Sequence, residues 1–91
     1  MPITSIKKAD PSPHFERAFA KLPSRIQKKV VARIALFEMD PQHPGLRIHK
    51  LKGKLEDRWS FSVDWRYRVA FKFVDGDRVV FLDVGTHGVY R

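Results

Sequence analysis

Two stretches in the second half of the chain alternate strictly. From Trp59 to Val63 the odd positions are apolar and the even ones are serine, and from Tyr67 to Phe73 the odd positions are apolar again while Arg68 and Lys72 hold even ones. A period of two marks a half-buried strand. Only Asp64, Trp65 and Arg66 separate the stretches, which predicts an antiparallel hairpin burying Trp59, Phe61, Val63, Tyr67, Val69, Phe71 and Phe73 against another layer. Arg68 then stands in mid-strand on the opposite face. A guanidinium held there by the sheet is suited to recognising an anion.

The first half of the chain carries the helical period instead. Ile3 to Ile6 predicts a short edge strand, ended by Asp10-Pro11-Ser12-Pro13. Ser12 and Pro13 then suit the N-cap and first position of a helix carrying Phe15, Ala18, Phe19 and Leu22, which stops before Pro23. Ser24 with Gln27 reads as a capping box opening a second helix, whose stripe is Ile26, Val30, Ile34 and Phe37 with Val31 at its edge. Asp40 to Gly45 is a loop by composition, Leu46 to Leu51 a candidate strand, and Val74-Asp75-Gly76-Asp77 a turn. Arg78 to Val84 is nearly continuous apolar, as in a strand near the middle of a sheet. The prediction is a single α+β domain over residues 1–91, with an N-terminal helical hairpin packed on a small antiparallel sheet.

Composition narrows the chemistry. The chain has no cysteine, which excludes disulfides and thiolate sites and agrees with a reducing compartment. No run approaches the roughly 18 to 20 apolar residues of a membrane span, and the N-terminus lacks a signal-peptide core. The expected location is cytoplasmic, with no membrane partner. Against 10 Asp plus Glu stand 18 Lys plus Arg, a formal net charge of +8 that favours a polyanionic partner, either nucleic acid or an acidic protein segment.

Two segments concentrate candidate chemistry. Arg47, His49, Lys50, Lys52 and Lys54 form a basic tract expected beside the face that carries Arg68, dense enough for a phosphate backbone. A solvated edge that guards against strand pairing is the plainer reading. The chain closes on Gly85-Thr86-His87-Gly88-Val89-Tyr90-Arg91, where glycines flank a histidine able to serve as general acid or base. His14, His43, His49 and His87 do not show metal-ligand spacing and no acidic cluster accompanies them, so neither metal nor cofactor is expected.

The order of helix, helix, His49-Lys50-Leu51-Lys52-Gly53, Trp59-Ser60-Phe61, Tyr67-Arg68-Val69-Ala70-Phe71 and Gly85-Thr86-His87 through Tyr90 resembles the RelE/ParE superfamily of type II toxin–antitoxin toxins. The His-x-Leu-x-Gly and Gly-Thr-His elements are most similar to its RelE/YafQ-like branch of mRNA interferases. The resemblance implies the RelE-like microbial ribonuclease-type fold, cleavage of messenger RNA in the A site of the 70S ribosome, and a cognate antitoxin that presents an acidic segment. It further implies that Arg68 steadies the scissile phosphate, that His49 and His87 transfer protons, and that Tyr90 contacts the substrate nucleotide. Arg47, Lys50, Lys52, Lys54, Arg66 and Arg91 would contact RNA. Two lysines that RelE carries on the preceding strand fall here at Trp59 and Phe61, so its lysine chemistry is not implied. Two other readings share the fold: a ParE-like inhibitor of DNA gyrase and a non-catalytic binding or co-repressing member.

Overall fold

A computed structural model of the chain describes Ile6, residues 8–51 and residues 57–86. Its elements are β1 (Lys8–Pro11), α1 (Pro13–Ala20), α2 (Ser24–Met39), a 3-10 turn (Pro44–Leu46), β2 (His49–Lys50), β3 (Trp59–Ser62), β4 (Arg68–Asp75) and β5 (Arg78–Gly85). The sheet has five strands in the order β1-β5-β4-β3-β2. All neighbours are antiparallel except β1 and β5, which run parallel. Among the described residues no helix is long and apolar enough to cross a membrane.

The predicted hairpin forms, with Phe61 opposite Val69 and Ser62 opposite Arg68. Phe61, Val63, Val69 and Phe71 are buried, whereas Trp59, Tyr67 and Phe73 are partly buried at the margin of the core. Arg68 is the first residue of β4, so it stands at the strand's start rather than its middle. β5 occupies an interior position, and its register against β4 shifts between Ala70 and Phe71 and again between Phe73 and Asp75.

Phe37 of α2 is the pivot of the core. Its ring lies 4.8 Å from that of Phe61, 4.9 Å from Phe71 and 6.2 Å from Phe81, so one helical residue joins three strands. Ile26 and Val30 are buried on the same helix, Ile34 packs against the core, and Val31 is exposed. Phe15 anchors α1 by packing on Phe81 at 5.5 Å.

Local details differ from the sequence reading in three places. Ser12 caps α1 as predicted, its hydroxyl accepting from the Phe15 N–H at 3.1 Å. Ser24, by contrast, already lies inside α2: extended Pro23 is the N-cap and no side chain caps the helix. Gln27 uses its amide differently, donating Nε2 to the Phe19 carbonyl at 2.9 Å and tying α2 to α1. The first strand is Lys8–Pro11, so Asp10 and Pro11 belong to it rather than ending it, and Ile3 to Ser5 lie outside the described residues. An edge position tolerates Pro11, which cannot donate to a ladder. The candidate strand from Leu46 to Leu51 shrinks to His49–Lys50, because Leu46 turns into the core and Arg47 adopts left-handed geometry with φ 47°.

Candidate phosphate-binding cleft

Of the two serines that alternate with Phe61 in β3, Ser60 supports Arg68 and Ser62 supports the hairpin turn. Ser60, Ser62 and Arg68 share the hairpin face opposite Phe61 and Val69, as period-two geometry requires. Ser60 is fully buried and accepts a hydrogen bond from Arg68 Nε at 3.0 Å. Arg68 Nη2 donates to the Arg47 carbonyl at 2.9 Å and lies 3.2 Å from His49 Nδ1. A guanidinium only donates, so this last contact is a hydrogen bond only when Nδ1 is bare. The Arg47 carbonyl, 3.2 Å from the same nitrogen, accepts from it only when Nδ1 carries the ring proton, so the two contacts belong to different tautomers of His49.

Arg68 is thus held at Ser60 and at the Arg47 carbonyl, with His49 Nδ1 a third partner in one tautomer. Partial burial lowers its pKa from the ordinary value, and the neighbouring Arg47 guanidinium lowers it further. Both effects disfavour the cation, and an anion arriving beside it relieves them. Arginine nevertheless stays protonated in proteins, so the arrangement stores positive charge where a phosphate can use it.

Arg68 opens onto a cleft of about 570 Å³ whose lining includes Arg33, Arg47, Asp64, Trp65, Arg66 and Thr86. Four guanidinium groups therefore border one concavity. Its carboxylate, Asp64, is committed to the hairpin turn: Oδ1 accepts from the N–H groups of Arg66 and Tyr67, each at 2.8 Å, and Oδ2 is 3.4 Å from Lys29 Nζ. Burial pushes the Asp64 carboxyl up, but those two backbone N–H groups and Lys29 outweigh it and hold it below the usual carboxylate range. Asp64 is consequently a turn anchor.

Among the residues singled out from sequence, Arg68 and His49 are in contact, Arg47 and Arg66 border the same cleft, and Lys50 is exposed beside His49 on β2. Lys52, Lys54, His87, Tyr90 and Arg91 lie outside the described residues. The two residues before His87 in sequence are described. Gly85 is the cross-strand partner of Arg68, and Thr86 borders the cleft.

Sequence reasoning missed Arg33, the two serines and Trp65. Arg33 sits on α2 and borders the cleft, its Nη1 donating to the Gly45 carbonyl at 3.4 Å. Nothing local in the sequence marks it. Ser60 did leave a signal: a small hydroxyl residue alternating with a buried aromatic in a strand is spaced to support a neighbour on the opposite hairpin arm. Among the described residues, no three His, Cys, Asp or Glu side chains group as metal ligands.

A family model described as the RelE-like toxin of the type II toxin–antitoxin system HigB matches residues 13–87. Compared with curated proteins by sequence, the chain shows no significant match. Among solved structures it is similar to YafQ from Escherichia coli strain BL21(DE3), with TM-score 0.74 and 16% identity over 89% of this chain and 93% of that one. A YoeB/ParE toxin from Agrobacterium tumefaciens superposes with TM-score 0.71 at 17% identity, covering 88% of this chain and 98% of that one. The RelBE2 toxin–antitoxin complex of Mycobacterium tuberculosis matches with TM-score 0.61 and 23% identity, over 96% and 100% of the two chains. At these identities the structural matches speak for the fold, and the family match speaks for the class. The chain belongs to the HigB-like family of RelE-like toxins of type II toxin–antitoxin systems.

Proposed function

We propose that this toxin is an mRNA endoribonuclease acting on messages in the ribosomal A site, with the scissile phosphate seated at Arg68. The observation that carries the reading is the guanidinium of Arg68, held by Ser60, the Arg47 carbonyl and His49 at the edge of an arginine-bordered cleft. Such a fixed donor stabilises charge that develops on non-bridging phosphate oxygens without having to reorganise at the moment of reaction.

The chemistry is attack by the RNA 2′-hydroxyl on its own 3′-phosphorus. A general base takes the hydroxyl proton, the oxygen–phosphorus bond forms, the bond to the 5′-oxygen of the next nucleotide breaks, and a general acid protonates that oxygen. The products are a 2′,3′-cyclic phosphate and a 5′-hydroxyl end. His49 and His87 divide the two proton transfers, and no metal takes part. Support for His87 comes from its place in sequence directly after Thr86, which borders the cleft beside Arg68. Tyr90 contacts the substrate nucleotide, while Arg47, Lys50, Lys52, Lys54, Arg66 and Arg91 hold the strand through its phosphates. Dependence on a 2′-hydroxyl makes the enzyme specific for RNA.

A cognate antitoxin is the natural regulator. The solved DinJ–YafQ and RelBE2 structures are toxin–antitoxin complexes, and a chain of net charge +8 offers an acidic antitoxin segment a complementary surface. Inducing the toxin in growing cells tests the reading. Transcripts cut within translated regions, with protection by the co-expressed antitoxin, are expected. A DNA-damage response over intact transcripts would identify a gyrase-directed toxin instead, and growth arrest with neither would refute nuclease action.

A further inference from the structure

We propose that Trp65 is a nucleobase platform, its indole stacking on the base of a nucleotide that adjoins the phosphate at Arg68. The inference rests on the RNA-cleaving reading and adds the contact that would fix the register of the strand in the cleft. Trp65 is 90% exposed, although an indole is among the side chains that gain most from burial. It is displayed by a constrained turn. The Val63 N–H donates to the Tyr67 carbonyl at 2.8 Å, the Ser62 hydroxyl donates to the Asp64 carbonyl at 2.7 Å, and the Asp64 carboxylate accepts from the two N–H groups that follow Trp65.

The indole borders the same cleft as Arg68, and the Arg66 guanidinium lies 5.5 Å from its centroid. A cation over the ring helps to fix it, and the ring's exposure leaves area for a second planar partner. Binding of single-stranded nucleic acid combines a cationic groove that follows the phosphates with an aromatic surface that receives bases. Arg33, Arg47 and Arg66 provide the first part in this cleft, and Trp65 provides the second.

The test is single-turnover cleavage of a message on programmed ribosomes, comparing Trp65→Ala and Trp65→Phe with the natural chain. Each protein also meets messages carrying an abasic ribonucleotide on either side of the cut. Loss of one stacked base lowers cleavage at subsaturating toxin by about 5- to 150-fold in Trp65→Ala, with most activity kept by Trp65→Phe. The abasic message imposes a similar loss on the natural chain and little further loss on Trp65→Ala, since both changes remove one contact. If the natural chain cleaves and Trp65→Ala cleaves equally well, the platform is overturned while the nuclease reading stands. A variant that cleaves normally but loses its antitoxin would likewise overturn the platform and mark Trp65 as a protein contact. Failure of the natural chain to cleave messages on programmed ribosomes would overturn both.

Discussion

Replacing Ser60 by alanine tests whether the hairpin aims Arg68. The hydroxyl is fully buried and its bond to Arg68 Nε is 3.0 Å long. A hydrogen bond to a charged group contributes about 1.5 to 3 kcal/mol, and the half-buried position of the guanidinium favours the lower end, about 1.5 kcal/mol. In a domain of this size that loss lowers Tm by roughly 6 to 12 °C. The functional effect follows from geometry. With Nε released, the guanidinium still reaches the Arg47 carbonyl and His49 but loses the contact nearest its stem, and a misaligned donor forfeits part of its hold on the transition state. A penalty of about 1.4 kcal/mol slows cleavage about tenfold, far less than removing the guanidinium altogether. Thermal unfolding and single-turnover cleavage on programmed ribosomes read the two effects separately. Ser60→Ala combined with Arg68→Ala should cleave no more slowly than Arg68→Ala alone, because both changes act through one group. Ser62→Ala is the control, since that hydroxyl serves the Asp64 carbonyl. It should cost stability with little effect on rate. Wild-type cleavage by Ser60→Ala, or full additivity in the double variant, would refute the aiming role.

Three further outcomes follow from the same contacts. Phe37→Ala removes the ring shared by Phe61, Phe71 and Phe81 and should cost about 3 to 5 kcal/mol in urea unfolding; a loss below about 1 kcal/mol would contradict its central place. Arg47→Gly relieves a left-handed residue that costs about 1 to 2 kcal/mol, so its urea midpoint should not fall, while cleavage weakens through the missing cation; a clear drop in midpoint would count against the strain. Asp64 has a folded-state pKa below its ordinary value of 3.8, so its carboxylate stabilises the fold fully above that value and loses the contribution as pH falls through the lower, folded value. Asp64→Asn keeps an acceptor but no charge, and unfolding measured from neutral pH into acid should show a smaller decline than in the natural chain; identical declines would remove Asp64 as a source of the acid sensitivity.

Patterns that act over a few residues were legible in the sequence, and those that depend on meeting distant chain were not. Alternation from Trp59 to Phe73 predicts the hairpin and its buried face, and the stripe through Ile26, Val30 and Phe37 predicts α2. Arg68 and His49 emerged as candidates because their residue types and neighbours suit phosphate chemistry, and the fold places them in contact. Ser24 misled because a serine just past proline has the composition of a cap but lies one position inside the helix, with Pro23 at the cap position. The strand from Leu46 to Leu51 failed for a tertiary reason: burial of Leu46 and the left-handed Arg47 outweigh local extension. β1 pairs in parallel with β5, across nearly the whole chain, and no local pattern announces such a partner. Arg33 borders the cleft from α2, far in sequence from the hairpin that forms most of it, and no local pattern announces that meeting.

The most direct measurement is the rate at which purified toxin cuts a ribosome-bound message, for the natural chain and for Arg68→Ala, with a matched message bearing one 2′-deoxynucleotide at the cut. Removing a fixed charge-stabilising donor should slow cleavage by about 100- to 1,000-fold, and the deoxy message should resist the natural chain while its ribonucleotide counterpart yields a 5′-hydroxyl end. Equal rates for Arg68→Ala and the natural chain, or undiminished cutting at the deoxy position, would contradict the account.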